Sequence, residues 1–112
     1  MVRFSQRNPG VKYLMLASEE GLPVTYVGEL MDADRAAPLG VILAAASEKI
    51  GSEIGWTKPR KIYLSFDDGN VIITDIRGVG TLLMVTDKTL ELGLLFDAEV
   101  ARLTDLITKN VL

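Results

Sequence analysis

Residues 12–18 read KYLMLAS, with Tyr13, Met15 and Ala17 on one side of an extended chain and Leu14 and Leu16 on the other. Apolar residues on both sides mark a strand covered from above and below, and so a strand in the middle of a sheet. Residues 81–86, TLLMVT, read the same way. Two such strands side by side make the centre of one sheet, and the other segments must supply its edges and covers.

Working outward, Asn8-Pro9-Gly10 breaks the chain before the first run, and Glu19-Glu20-Gly21 turns it afterwards. Residues 24–27 then return as a shorter strand, completing a hairpin. Lys61–Phe66 (KIYLSF) alternates, with Ile62, Leu64 and Phe66 inward and Lys61, Tyr63 and Ser65 outward. That pattern belongs near an edge, where Lys58, Pro59, Arg60 and Lys61 discourage random pairing. Asp67-Asp68-Gly69-Asn70 is a hairpin turn, residues 71–76 go back, and Arg77-Gly78-Val79-Gly80 turns again into residues 81–86.

Two segments switch to helical period. Asp32 or Asp34 caps the first, and Pro38 is tolerated only in a first turn, which predicts a helix over 35–54. Leu39, Ile42, Leu43, Ala46, Ile50 and Ile54 follow the rhythm of a buried face. The opposite side carries Gly40, Val41, Ala44, Ala45, Ser47, Gly51 and Ser52. Each interior glycine costs about 1 kcal/mol relative to alanine, and close approach of a second helix backbone would offset that. The second helix spans about 90–110, with Leu92, Phe96, Val100, Leu103, Ile107 and Val111 as its stripe and Glu99, Arg102, Asp105 and Lys109 facing water. The pattern β-β-α-β-β-β-α predicts an α/β (α+β) domain over residues 1–112: a mostly antiparallel five-stranded sheet with helices on its faces.

Composition narrows the function. Of 112 residues, 48% are hydrophobic, enough to offset the entropy of folding. The net charge of -3 argues against a nucleic-acid partner, which would require a concentrated basic face. With no cysteine there is no disulfide or thiolate chemistry, which fits a cytoplasmic location. With no histidine the usual general base and imidazole metal ligand are missing. The reading is a non-enzyme without cofactor or metal. The longest apolar stretch, residues 41–46, falls far short of the roughly 20 residues of a membrane span.

Short motifs dissolve on inspection. Asp32-Ala33-Asp34 opens like a calcium loop, but Ala36, Ala37 and Leu43 stand where ligands and the invariant glycine belong. Gly78-Val79-Gly80 joins two antiparallel strands and is a turn rather than a dinucleotide loop. Glu19/Glu20 and Asp67/Asp68 lie in turns, where paired acids are solvated. Lys58, Arg60 and Lys61 are too few for a nucleic-acid stripe but suit an acidic protein partner. Trp56, at the end of the small-residue helix, is the first residue to suspect in binding if it is exposed.

Pro9-Gly10-Val11, a strand, then Ser18-Glu19-Glu20-Gly21-Leu22-Pro23-Val24 resembles the opening of the Roadblock/dynein-light-chain family. Asp32-Ala33-Asp34-Arg35 before an alanine-rich helix, the Asp68-Gly69 hairpin and Leu92-Gly93-Leu94-Leu95 extend the resemblance over about residues 8–112. It implies a profilin-like sheet in strand order 2-1-5-4-3. It also implies a homodimer that pairs third strands and central helices across a two-fold axis, here Lys61–Phe66 and the helix 35–54. The interface is then Gly40, Val41, Ala44, Ala45, Ser47, Gly51, Ile62, Tyr63 and Leu64. Family members begin with an amphipathic helix, for which residues 1–7 supply at most one or two turns. Either the domain tolerates a thinner layer or another protein fills the gap.

The function so implied is a non-catalytic homodimeric adaptor or regulator of a small Ras-like GTPase, with another Roadblock protein as a further partner. Glu48, Lys49 and Trp56 are the partner-facing residues. Two alternatives stand beside it: a small-molecule-sensing profilin-like module, and a structural dimer within a larger assembly.

Overall fold

The computed structural model describes residues 2–87 and 94–111. The chain runs α1 (Val2–Arg7), β1 (Val11–Ser18), β2 (Pro23–Val27), α2 (Ala33–Glu53), β3 (Lys61–Phe66), β4 (Gly69–Ile76), β5 (Gly80–Asp87) and α3 (Leu94–Val111). The strands form one sheet ordered β2-β1-β5-β4-β3. Every neighbouring pair is antiparallel. The two-faced runs therefore lie side by side at the centre, as their composition requires.

Alternation along the strands divides the core in two. On one face Leu14, Leu16, Ile72, Ile76, Leu82 and Met84 meet Phe4 of α1 and Val100, Leu103 and Ile107 of α3. On the other, Tyr13, Met15, Ala17, Ile73 and Leu83 meet Ala33, Ala36 and Ala37 of α2. Of the expected α3 stripe, Val100, Leu103 and Ile107 are buried, while Arg102, Asp105 and Lys109 are exposed. Leu92 and Gly93 lie outside the described residues, as do the side chains of Leu94, Leu95, Phe96, Glu99 and Val111. The first helix is under two turns long. Phe4 anchors it, and the Asn8 side-chain amide donates to the Phe4 carbonyl oxygen at 3.0 Å.

The start of α2 lies two residues ahead of the predicted one. Asp32 is the N-cap, its carboxylate accepting from the Asp34 N–H at 3.0 Å. Pro38 therefore sits in the second turn, not the first. Its missing N–H withdraws the usual donor from the Asp34 carbonyl, and both residues are exposed.

The faces of α2 are reversed relative to the sequence reading. Ala33, Ala36, Ala37 and Gly40 are the side packed on the sheet, with Ala36 and Ala37 fully buried. Leu39, Ile42, Ile50 and Ile54 are 51–66% exposed, Ala46 is exposed and Leu43 is half-buried. Small side chains let the helix backbone settle close to β1 and β5, and the larger ones are turned away. Gly51 serves the helix end: Trp56 N–H donates to its carbonyl at 2.8 Å and Gly55 N–H to that of Ser52 at 3.2 Å. With Gly55 at φ +77, this is a Schellman stop.

Candidate protein-binding face

Once α2 has spent its small residues on its own sheet, its outward side presents a row of large apolar side chains, Leu39, Ile42 and Ile50, with Ala46 between them. Their spacing of three and four residues keeps them on one line along the helix. The row continues past the helix end into Ile54 and Trp56, the latter 74% exposed. Ser47, Ile50, Ile54, Trp56 and Pro59 line a shallow hollow of about 410 Å³ at this end.

The edge of the sheet is open as well. α2 lies over β1, β5, β2 and β4, which leaves β3 projecting beyond it. Ile62 packs at the margin of the α2-side core and Leu64 is half-buried. Phe66, expected inward, is 57% exposed because it stands past the reach of the helix. Tyr63 is on the opposite face and also exposed. Between α2 and β3–β4 runs a groove of about 320 Å³ that includes Val41, Ala44, Ala45, Glu48, Arg60 and Ile62.

The residues singled out from sequence thus separate. Gly40 and Gly51 are buried within their own chain and have no surface for a second backbone. A Cβ on Gly51 would stand 2.8 Å from the Thr57 carbonyl oxygen, so the local chain reversal explains that glycine. Val41, Ala44 and Ser47 are half-buried along the flank of α2. Ala45, Glu48, Lys49 and Trp56 are exposed. Sequence reasoning put Leu39, Ile42, Ala46 and Ile50 inside. The signal that places them outside is the recurrence of small residues at 33, 36, 37, 40, 44, 47 and 51.

Charge is unevenly placed along β3. Lys58, Arg60 and Lys61 gather at its start, and Asp67 and Asp68, both exposed, follow its end. Lys58 Nζ is 4.0 Å from Glu48 Oε1, an exposed pair that adds little stability. Among the described residues no cluster of three acidic side chains is placed to hold a metal ion, and no helix is long and apolar enough to cross a membrane. Away from this face, burial raises the Tyr13 hydroxyl above the ordinary phenol range, and Tyr26 and Asp32 add to the effect.

Residues 1–87 match the model of the Roadblock/LC7 domain. The chain belongs to the Roadblock/LC7 family. A search of curated proteins found no match. Among solved structures, a Roadblock/LC7 domain from Streptomyces avermitilis is 20% identical with a TM-score of 0.88, over 99% of this chain and 93% of that one. Myxococcus xanthus MglB is 19% identical with a TM-score of 0.87, over 97% and 89% of the two chains. An MglB solved in a tetrameric arrangement is 18% identical with a TM-score of 0.83, over 96% and 85%. These likenesses establish the Roadblock/LC7 fold, including the sheet order and the helix that carries the exposed row.

Proposed function

We propose that this Roadblock/LC7 chain is a non-catalytic adaptor that works as a homodimer and regulates a small Ras-like GTPase. The observation that carries the dimer is the exposed row Leu39, Ile42, Ala46 and Ile50 on the outer side of α2, in a fold whose β3 is an open sheet edge. Burying half-exposed side chains of this size stabilises by roughly 1 kcal/mol each. A two-fold axis beside α2 covers the row with its own copy and gives β3 a partner strand. The tetrameric arrangement of a structurally similar MglB supports self-association as a property of this fold.

The GTPase enters from the family, whose members bind such partners. In the dimer, the exposed Glu48, Lys49 and Trp56 stand at the flank of the paired helices and form the contact surface. The regulator acts by positioning residues of the GTPase. Its test is a pull-down of small GTPases loaded with GDP or a GTP analogue, using the chain and a Trp56→Ala variant. Capture by the chain and loss with the variant are the expected result. Capture of neither nucleotide form overturns the GTPase reading, and a strictly monomeric mass at micromolar concentration overturns the dimer.

A further inference from the structure

Lys58, Arg60 and Lys61 take no part in the outer row of α2, and they border more than the α2 side of the sheet. Lys61 faces Thr74 in the β3–β4 ladder. Thr74 stands two residues from both Ile72 and Ile76, which belong to the α3-side core. Lys61 therefore falls on the α3 side. There a groove of about 530 Å³ opens between α3 and the start of β3.

The two walls of this groove differ in chemistry. One carries Lys58, Arg60 and Lys61 at the entry to β3 and Arg77 from the turn after β4, four of the chain's twelve cations. The other is α3, which contributes Val100, Ala101, Thr104 and one carboxylate, Asp105. The Thr104 hydroxyl donates to the Val100 carbonyl at 3.0 Å, so this wall presents mainly methyl groups and Asp105. Asp75, one residue past Thr74 on β4, borders this groove and the one on the α2 side.

The basic wall is only partly neutralised from within. Lys61 keeps a contact inside the chain, and Lys58 has the exposed Glu48 at 4.0 Å. Arg60 and Arg77, both exposed, are in no ion pair among the described residues. A concave site lined by cations draws in anions, and the guanidinium fork suits a carboxylate or a phosphate.

The α3 wall decides between those anions. A free phosphate gains nothing from Val100 and Ala101 and is repelled by Asp105. A nucleic acid needs a longer basic stripe than four side chains, and the chain as a whole carries -3. An acidic stretch of polypeptide suits both walls: its carboxylates meet the arginines, its apolar side chains meet Val100 and Ala101, and Asp105 accepts from its main-chain N–H groups. We propose that the groove between α3 and the start of β3 docks an acidic segment of a partner protein, with Arg60 and Arg77 holding its carboxylates. The groove lies across the sheet from the outer row of α2, so this proposal stands apart from the homodimer and GTPase readings.

The probe is a fluorescein-labelled peptide of repeated Glu-Glu-Leu, followed by anisotropy with the full chain, with a Gln-Gln-Leu repeat as its neutral counterpart. Saturable binding of the acidic peptide alone is expected, with amide NMR shifts at residues 58–61 and 100–105. Arg60→Glu with Arg77→Glu is expected to weaken binding about tenfold or more, and the milder Arg60→Gln with Arg77→Gln about threefold or more. Arg35→Glu removes an exposed cation of α2 outside the groove and is expected to stay within about twofold. Circular dichroism verifies that each variant is folded. No binding of the acidic peptide, unchanged binding by both arginine pairs, or shifts that spare residues 100–105 overturns the site. Tripolyphosphate that binds as tightly and displaces the peptide overturns the polypeptide occupant in favour of a phosphate ligand.

Discussion

Gly40 of α2 lies over Leu83 of β5, so close that a Cβ built on it would stand 3.7 Å from the Leu83 Cδ1 and 3.6 Å from the Thr81 Cγ2. Those are ordinary van der Waals distances. The glycine is thus spent on helix-to-sheet packing with room for one more methyl group.

Gly40→Ala is therefore expected to stabilise the fold by about 0.5–1 kcal/mol, through better helix propensity and an added contact. Gly40→Leu is expected to lift α2 from the sheet and cost about 1–3 kcal/mol. Thermal unfolding of the two variants decides. A loss of stability with alanine would show that the site is already full.

Ile42→Glu and Ile50→Glu, alone or together, place charge in the outer row. Each is expected to leave the monomer within about 0.5 kcal/mol of the unaltered chain, because both positions are more than half exposed. Self-association should weaken by two or more orders of magnitude, since a buried unpaired charge costs about 3 kcal/mol or more. Sedimentation and circular dichroism on the same samples separate the two effects.

Gly80 opens β5 at φ +151, and a Cβ there would run into the Ala17 carbonyl oxygen of β1. Both the dihedral and the collision penalise any side chain. Gly80→Ala is expected to cost more than about 2 kcal/mol, seen as a shift in urea midpoint without change of slope.

Tyr13 is 1% exposed, and its hydroxyl has no hydrogen-bond partner among the described residues. Tyr13→Phe removes an unsatisfied group while keeping the ring that stacks on Tyr26 at 6.3 Å, so it should be neutral or slightly stabilising. The raised folded-state pKa of Tyr13 means the fold favours the neutral phenol. Its contribution is complete below the ordinary phenol value of about 10 and is lost as pH rises through the folded-state value. The variant should lose less stability than the unaltered chain above pH 10 in alkaline unfolding.

Much of this architecture is written plainly in the chain. Two-sided apolar runs place β1 and β5 at the centre, the Asp67-Asp68 turn and the Gly78 turn set the hairpins, and Asp32 caps α2. The strand order came from the family resemblance. The apolar rhythm is the misleading signal: Leu39, Ile42 and Ile50 follow the period of a buried face, yet Ala36, Ala37 and Gly40 are the residues packed on the sheet. On this sheet close approach wins, and the smaller row goes inside. The exposed row is illegible for the same reason, since its spacing is that of a core stripe. Gly55, just past the amphipathic run, is the legible stop signal of α2.

Phe4 is the peg that fastens α1, a helix of six residues, to the rest of the molecule. Withdrawing that ring uncovers one margin of the core, whereas β1 cannot leave without breaking ladders on both sides. Deuterium uptake and proteolytic nicking should therefore begin at the amino-terminal turn, well ahead of global unfolding.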